Sequence, residues 1–427
     1  MSDDIRQTWS LRELVDDLRT GRCTPEAALR RSRERIAETD DVVRAWVALD
    51  EHPATVGAGP LGGVPMGVKD IIDLAGLPTR CGSQLRADAA PAERDAPVVE
   101  AWRAAGAIPV GKTVTTEFAF FAPGPTRNPA NPSHTPGGSS SGSAAAVAAG
   151  QVPLAIGSQT AGSVTRPAAY CGVASLVLRH GHLPTDGVAG LSPSLDAHGV
   201  YAATVADVCL AWSALTGEPD PADDAQDPSR LALWSAAPLN VVQDEMAAAL
   251  DDTAARLTDR GAPIDAFPLE SLIAEVTAAH PVVMAYEAAR ERAAELERAD
   301  RLSAPLAGLL RTGAGTSEPD YDAARRLVSA ARDEVSALLT RYDAVLGPAA
   351  PGAAPQGLDA TGDPVLSRPW QALGFAAVAV PGLHDAAGLP LGLQVIAESE
   401  AAALRAAARV ERHLGNQVSQ GRCLRRR

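Results

Sequence analysis

Two serines in glycine-rich turns, and one lysine far upstream, are the residues of this chain best suited to chemistry. Ser139 stands in Thr135-Pro136-Gly137-Gly138-Ser139-Ser140-Ser141-Gly142-Ser143. Ser163 stands in Gly157-Ser158-Gln159-Thr160-Ala161-Gly162-Ser163-Val164-Thr165-Arg166-Pro167-Ala168. Neighbours with almost no side chain let a substrate reach the hydroxyl and the backbone closely. A serine becomes a useful nucleophile only when a base takes its proton. A histidine is the first candidate: His134 precedes Ser139, and His180, His182 and His198 follow Ser163. Neither serine sits in a Gly-x-Ser-x-Gly elbow. A metal-bound water is the second candidate. His180 and His182 are two apart, yet no third histidine or carboxylate joins them at ligand spacing. A lysine held neutral by burial is the third, because desolvation lowers a lysine pKa by up to about 3–5 units. Lys69 lies in Gly62-Gly63-Val64-Pro65-Met66-Gly67-Val68-Lys69-Asp70-Ile71-Ile72, an apolar run that reads as a strand buried on both faces. A lysine there is costly unless paired or neutralised.

The second turn offers more than a hydroxyl. Small residues over 159–163 let successive backbone N–H groups turn inward, where they can hold an oxyanion. A helix beginning after Ser163 adds a favourable dipole. The first turn has two other readings, a flexible linker or an anion-binding loop. It is short and runs straight into helix-forming alanines, and both the Walker pattern and the dinucleotide-binding spacing are absent.

The elements that must position these residues follow an α/β pattern. Ser10 with Glu13 reads as a capping box ahead of Leu11, Leu14 and Leu18, and Thr24-Pro25-Glu26 reads as a second helix start. Residues 43–49 look extended, and 61–73 read as a strand with turns at both ends. Asp95 is expected to cap a helix through Val98, Val99 and Trp102, followed by a strand at 108–112. Residues 115–121 read as a short apolar helix. Five prolines between 123 and 136 make the next stretch irregular. A strand at 172–178 and a helix at 204–215 follow. Residues 231–340 read as mostly helical, 342–396 as a return to α/β, and 401–414 as a last helix.

Length and charge bound the function. A chain of 427 residues, 46% hydrophobic, is long enough for one large α/β domain with insertions. A formal charge of −14 argues against a nucleic-acid or anionic-membrane surface. The arginines at 422 and 425–427 read as a solvated tail. Five scattered cysteines without a Cys-x-x-Cys pair imply a reducing compartment and no zinc site. The acidic start Met1-Ser2-Asp3-Asp4 differs from a signal peptide, so the chain is expected to be soluble and cytoplasmic.

These motifs resemble the amidase signature family along nearly the whole chain. The resemblance is carried by residues 62–70, by 135–146, by Gly162-Ser163 with Arg166-Pro167-Ala168, by Leu191-Ser192-Pro193-Ser194-Leu195-Asp196, and by Gly388-Leu389-Pro390-Leu391-Gly392-Leu393-Gln394. It implies one amidase domain over 1–427. Residues 1–60 would be an N-terminal helical segment, 61–215 the catalytic core, 216–340 a mainly helical insertion, and 341–427 the return to the core. The implied fold is α/β, a large mixed sheet sandwiched between helices. The implied catalytic set is a Ser–cis-Ser–Lys triad: Lys69 as buried base, Ser139 relaying the proton, Ser163 taking the acyl group. Backbone N–H groups of Thr160, Ala161, Gly162 and Ser163 would form the oxyanion hole, and Ser140 would support the triad. Gly137, Gly138, Gln159 and Arg166 would touch substrate.

The chain departs from the family pattern in places. Gln159 and Ala161 replace an Asp and a Gly. Arg166 follows the nucleophile at three residues, as in malonamidase-type members that act on small carboxylated amides. Such an arginine either holds a carboxylate bidentately or makes a structural ion pair. Residues 175–182 also differ from the usual segment. The implied activity is hydrolysis of a small, possibly carboxylated amide through an acyl-serine, by a homodimer that needs no cofactor or metal and binds neither nucleic acid nor membrane. The alternatives are transfer to an amine acceptor, alone or with a partner protein, and a role as a non-catalytic binding subunit.

Overall fold

The computed structural model describes residues 5–53, 59–223 and 229–414. The N-terminal elements are α1 (Leu11–Arg19), α2 (Pro25–Val43) and β1 (Trp46–Leu49). Ser10 accepts from the Glu13 N–H and Thr24 from the Ala27 N–H, so both start signals act as caps. The core then runs β2 (Pro65–Lys69), α3 (Pro97–Ala104), β3 (Ile108–Thr113), α4 (Ser141–Ala148), β4 (Leu154–Gln159), α5 (Thr165–Cys171), β5 (Ala174–Val177), β6 (Ala197–Ala202) and α6 (Val205–Thr216). Next come β7 (Leu231–Leu233), α7 (Asp244–Asp259), β8 (Ile264–Ala266), α8 (Glu270–Glu291), α9 (Ala293–Leu296), α10 (Ala304–Gly315) and α11 (Glu318–Leu339). The chain closes with β9 (Ala344–Pro348), α12 (Arg368–Leu373), β10 (Ala376–His384), β11 (Pro390–Ala397) and α13 (Glu400–Leu414).

The strands form one eleven-stranded sheet in the order β1-β3-β2-β4-β6-β5-β10-β11-β9-β7-β8. The pairs β2–β3, β2–β4, β7–β8 and β7–β9 are parallel, and the others are antiparallel. Helices α4 and α5 pack together, as do α6 and α13, and all four lie against this mixed sheet. Strand β2 has β3 on one edge and β4 on the other, and packs against α2 and α4. All five of its residues are buried, Lys69 included.

Three local readings of the sequence differ from the structure. Residues 115–121 are no helix. Only a single 3-10 turn forms at Glu117–Ala119, and Phe118, Ala119 and Phe121 have φ of 45°, 62° and 38°. The Glu117 carboxylate accepts from Ser83 Oγ and the Ser303 N–H, and these distant ties hold the segment out of helical form. Asp95 does not cap α3. Its carboxylate accepts from the Ala75 N–H at 2.8 Å and pairs with Arg103 at 2.6 Å, leaving Ala96 at the cap position without a side-chain bond. The mostly helical stretch 231–340 also supplies β7 and β8. These three-residue strands pair with each other, and β7 pairs with β9, which lies far along the chain.

The cysteines among the described residues, Cys23, Cys81, Cys171 and Cys209, are free thiols. Cys423 and the terminal arginines lie outside the described residues. Among those described, no helix is long and apolar enough to cross a membrane.

Candidate active site

Lys69 ends β2, Ser139 lies in the turn before α4, and Ser163 lies in the turn before α5. The sheet and the α4–α5 pair bring the three segments together. The Lys69 ammonium is fully buried, 2.7 Å from Ser139 Oγ, 2.9 Å from Ser158 Oγ and 3.3 Å from the Ser158 carbonyl. No carboxylate among the described residues pairs with it. Desolvation lowers its pKa to about 7, against a partial opposing pull from the Asp196 charge.

A second buried lysine makes the contrast plain. Lys112 on β3 is aligned with Val68, one residue before Lys69, so it points to the other face of the sheet. There its ammonium meets the Asp70 carboxylate at 3.0 Å. Both lysines are fully enclosed and both meet hydroxyl and carbonyl oxygens, but Lys69 has no carboxylate beside them among the described residues.

Ser139 follows a cis peptide bond from Gly138. Ser140 donates to the Ser158 carbonyl at 3.2 Å and accepts from the Ser158 N–H. Ser158 thus joins Ser140 to Lys69. A Cβ on Gly157 would lie 2.7 Å from Ser140 Oγ, so this close approach of turn and strand requires glycine. Ser139, Thr160, Ala161, Gly162, Ser163 and Arg166 line one small pocket. The N–H groups of residues 160–163 donate to no backbone carbonyl among the described residues.

Gln159 does something other than expected. Its side-chain oxygen accepts from the N–H groups of Val164 and Thr165, and its amide nitrogen donates to Gln371. The side chain caps the start of α5 from below instead of facing the pocket. Gly138 presents its carbonyl to Arg166, and Gly137 takes a φ of 79° to make the turn.

Arg166 is buried and makes no ion pair with the described residues. One nitrogen donates to the Gly138 carbonyl at 2.6 Å and to Thr361 at 3.3 Å, while Nε and Nη1 have no partner among the described residues. Burial lowers its pKa to about 10, so it stays cationic at neutral pH. Arg368 borders the same pocket.

The histidines considered as bases are elsewhere. His180 contacts the Pro193 carbonyl, His182 pairs with Glu400, and His198 contacts the Pro184 carbonyl. Among the described residues, no three His, Cys, Asp or Glu side chains gather as a metal site.

Sequence reasoning missed several neighbours. Ser158 and Asp196 lay inside the motifs without a role, although Asp196 accepts from Thr160 Oγ1 and from the N–H groups of Leu191 and Ser192. His280, Arg368 and Gln371 come from distant segments, and nothing in their local sequence marks them.

The fold and these motifs define the class. The family model described as Amidase matches residues 38–401, and the chain belongs to that family. Among its relatives is a component of the glutamyl-tRNA(Gln) amidotransferase of Synechococcus sp. (strain RCC307), 30% identical over 90% of this chain and 92% of its own length. A solved structure described as a vestigial protein complex revealing the origins of an s-triazine catabolic enzyme has a TM-score of 0.86, with 28% identity over 95% of this chain and 99% of its own. A crystal structure of an amidase has a TM-score of 0.82, with 29% identity over 97% of this chain and 100% of its own. These findings correct the expectation of a homodimer dealing only with a small molecule. The Synechococcus relative, matched over nearly the whole chain, is by name one subunit of an amidotransferase. The malonamidase branch is not singled out among these relatives.

Proposed function

We propose that the chain is the amide-cleaving subunit of an amidotransferase. It moves the acyl group of a small carboxylated amide onto Ser163, and the ammonia released serves an acceptor reaction on a partner protein. The observation that carries the reading is the buried, unpaired Lys69 set 2.7 Å from Ser139 Oγ. A neutral Lys69 directs its two N–H bonds to the oxygens of Ser158 and keeps a lone pair for the Ser139 hydroxyl hydrogen. Ser139 in turn accepts the Ser163 proton as Ser163 Oγ attacks the amide carbon. The oxyanion is met by the N–H groups of residues 160–163. The proton returns through Ser139 to the leaving nitrogen, the C–N bond breaks, and ammonia departs. Water then attacks the Ser163 ester by the same relay and gives the free acid.

The carboxylate is assigned from Arg166, whose Nε and Nη1 are buried donors in want of an acceptor. The amidotransferase assignment draws on the Synechococcus relative, named as one subunit of such an enzyme. Hydrolysis without a partner is the second reading, favoured by the likeness to the structure described as an amidase. Both share the acyl-serine step. Ser163→Ala is expected to abolish ammonia release from small amides while circular dichroism is unchanged. In the parent protein, hydroxylamine should intercept the acyl-Ser163 as a hydroxamate. Undiminished turnover by Ser163→Ala would sink the covalent mechanism.

A further inference from the structure

Helix α8 lies across the candidate site from a part of the chain far from its motifs. His280, Met284 and Glu287 are spaced i, i+4 and i+7 on it, which places them on one face. Glu287 accepts from Ser192 Oγ, the Ser194 N–H and Ser194 Oγ, tying the helix to the segment that carries Asp196. Met284 borders the Ser163 pocket. His280 is fully buried, with Nε2 2.8 Å from the Thr160 carbonyl oxygen.

A carbonyl oxygen only accepts, so Nε2 carries the hydrogen. Nδ1 is then bare, and it has no partner among the described residues. Burial lowers the ring's pKa to about 4, which keeps it neutral at working pH. In a trans peptide the C=O and the following N–H lie in one rigid plane and point in opposite directions within it. A fixed Thr160 carbonyl therefore fixes the direction of the Ala161 N–H. That N–H donates to no backbone carbonyl among the described residues, and Ala161 and Thr160 both line the pocket beside Ser163. The Thr160 side chain is held as well, donating to Asp196 Oδ1 at 2.5 Å.

We propose that His280 is a positioning residue for catalysis, holding the Thr160–Ala161 peptide so that the Ala161 N–H meets the oxyanion formed at Ser163. The inference rests on the acyl-serine reading above. It extends the site to a helix that no motif of the family resemblance includes.

The test compares His280→Gln, His280→Asn and His280→Leu with the parent protein and with Ser163→Ala. A Gln amide nitrogen reaches the place of Nε2, an Asn nitrogen stops short, and Leu donates nothing. Two readouts apply: kcat and KM for ammonia release from succinamate, and the rate at which an alkyl fluorophosphonate labels Ser163. The second needs no knowledge of the natural amide, because the phosphoryl oxygen occupies the oxyanion place. The Leu and Asn variants should lose about 10- to 100-fold in kcat and in labelling rate with KM within about twofold, and Gln should recover most of the loss. The inference falls if Leu matches the parent in both readouts. It also falls if Gln loses as much as Asn, since packing alone would then explain the effect. Turnover retained by Ser163→Ala overturns the acyl-serine reading itself, whatever the His280 variants do.

Discussion

Two buried lysines on adjacent strands of one sheet differ in what their ammonium groups meet. Lys112 has the Asp70 carboxylate, whose charge opposes the lowering of its pKa by burial. Lys69 has hydroxyls and a carbonyl, and desolvation holds its pKa at about 7. If Lys69 is the base, kcat/KM falls about tenfold per pH unit below about 7 as the ammonium forms. A flat profile there would remove Lys69 from that role. The same shift has a stability consequence. The folded value lies below the ordinary 10.5, so between about 7 and 10.5 the unfolded chain binds more protons and stability rises with pH. Below that window the folded protein bears the full cost of a buried charge. Lys69→Met should therefore raise Tm relative to the parent most at about pH 6, with the difference shrinking by about pH 9. Thermal melts at the two pH values check the sign. Arg166→Ala is expected to raise KM about 10- to 100-fold for succinamate and little for butyramide, which carries a methyl in place of the carboxylate, because a charge-assisted hydrogen bond contributes about 1.5–3 kcal/mol. Equal effects on both substrates would make Arg166 a structural residue.

At the scale of elements, helix α8 is the piece that turns a set of loops into a pocket. It packs against α10, α11 and α12, and its inner face meets the turns that follow β4 and precede β6. Glu287 is its anchor, accepting from Ser192, Ser194 and Tyr321. Removing the carboxylate leaves several donors without an acceptor, so Glu287→Ala should cost about 3 kcal/mol of stability. Chemical denaturation measures this, and a loss near zero would mean that α8 is held by its apolar side alone. The α4 and α5 starts do the complementary work from below. Ser140 and Gln159 tie the two serine turns to β4, so a shift of one turn relative to the other would break hydrogen bonds in the sheet core.

For the whole molecule, the proposed amide cleavage differs in its assembly according to whether a partner protein receives the product. The chain spans nearly the full length of its Synechococcus relative, named as one subunit of an amidotransferase. If it too works in a mixed assembly, native mass spectrometry of the protein drawn from its own cells should show a mass that is not an integer multiple of 44.0 kDa. A species at the monomer mass or a multiple of it would favour the stand-alone hydrolase.

Much of the site could be read in the sequence because its parts are local. Gly-Ser turns are visible as composition, and a lysine in an apolar run declares its own burial before any fold is known. The helix starts at Ser10 and Thr24 were legible for the same reason, since a cap is a bond between residues three apart. What depended on distant partners was not legible. Residues 115–121 have the apolar content of a helix, but Glu117 bonds to Ser83 and Ser303 and the backbone turns left-handed instead. Gln159 looked like a substrate contact and became a cap, because Gln371 and the start of α5 converge on it. The lowered pKa of Lys69, the unpaired donors of Arg166 and the hold of His280 on Thr160 exist only after the sheet and α8 have excluded water. Residue order thus names the groups able to react. Their solvation and direction come from the folded state, because both are properties of what surrounds a side chain and not of its neighbours in the chain.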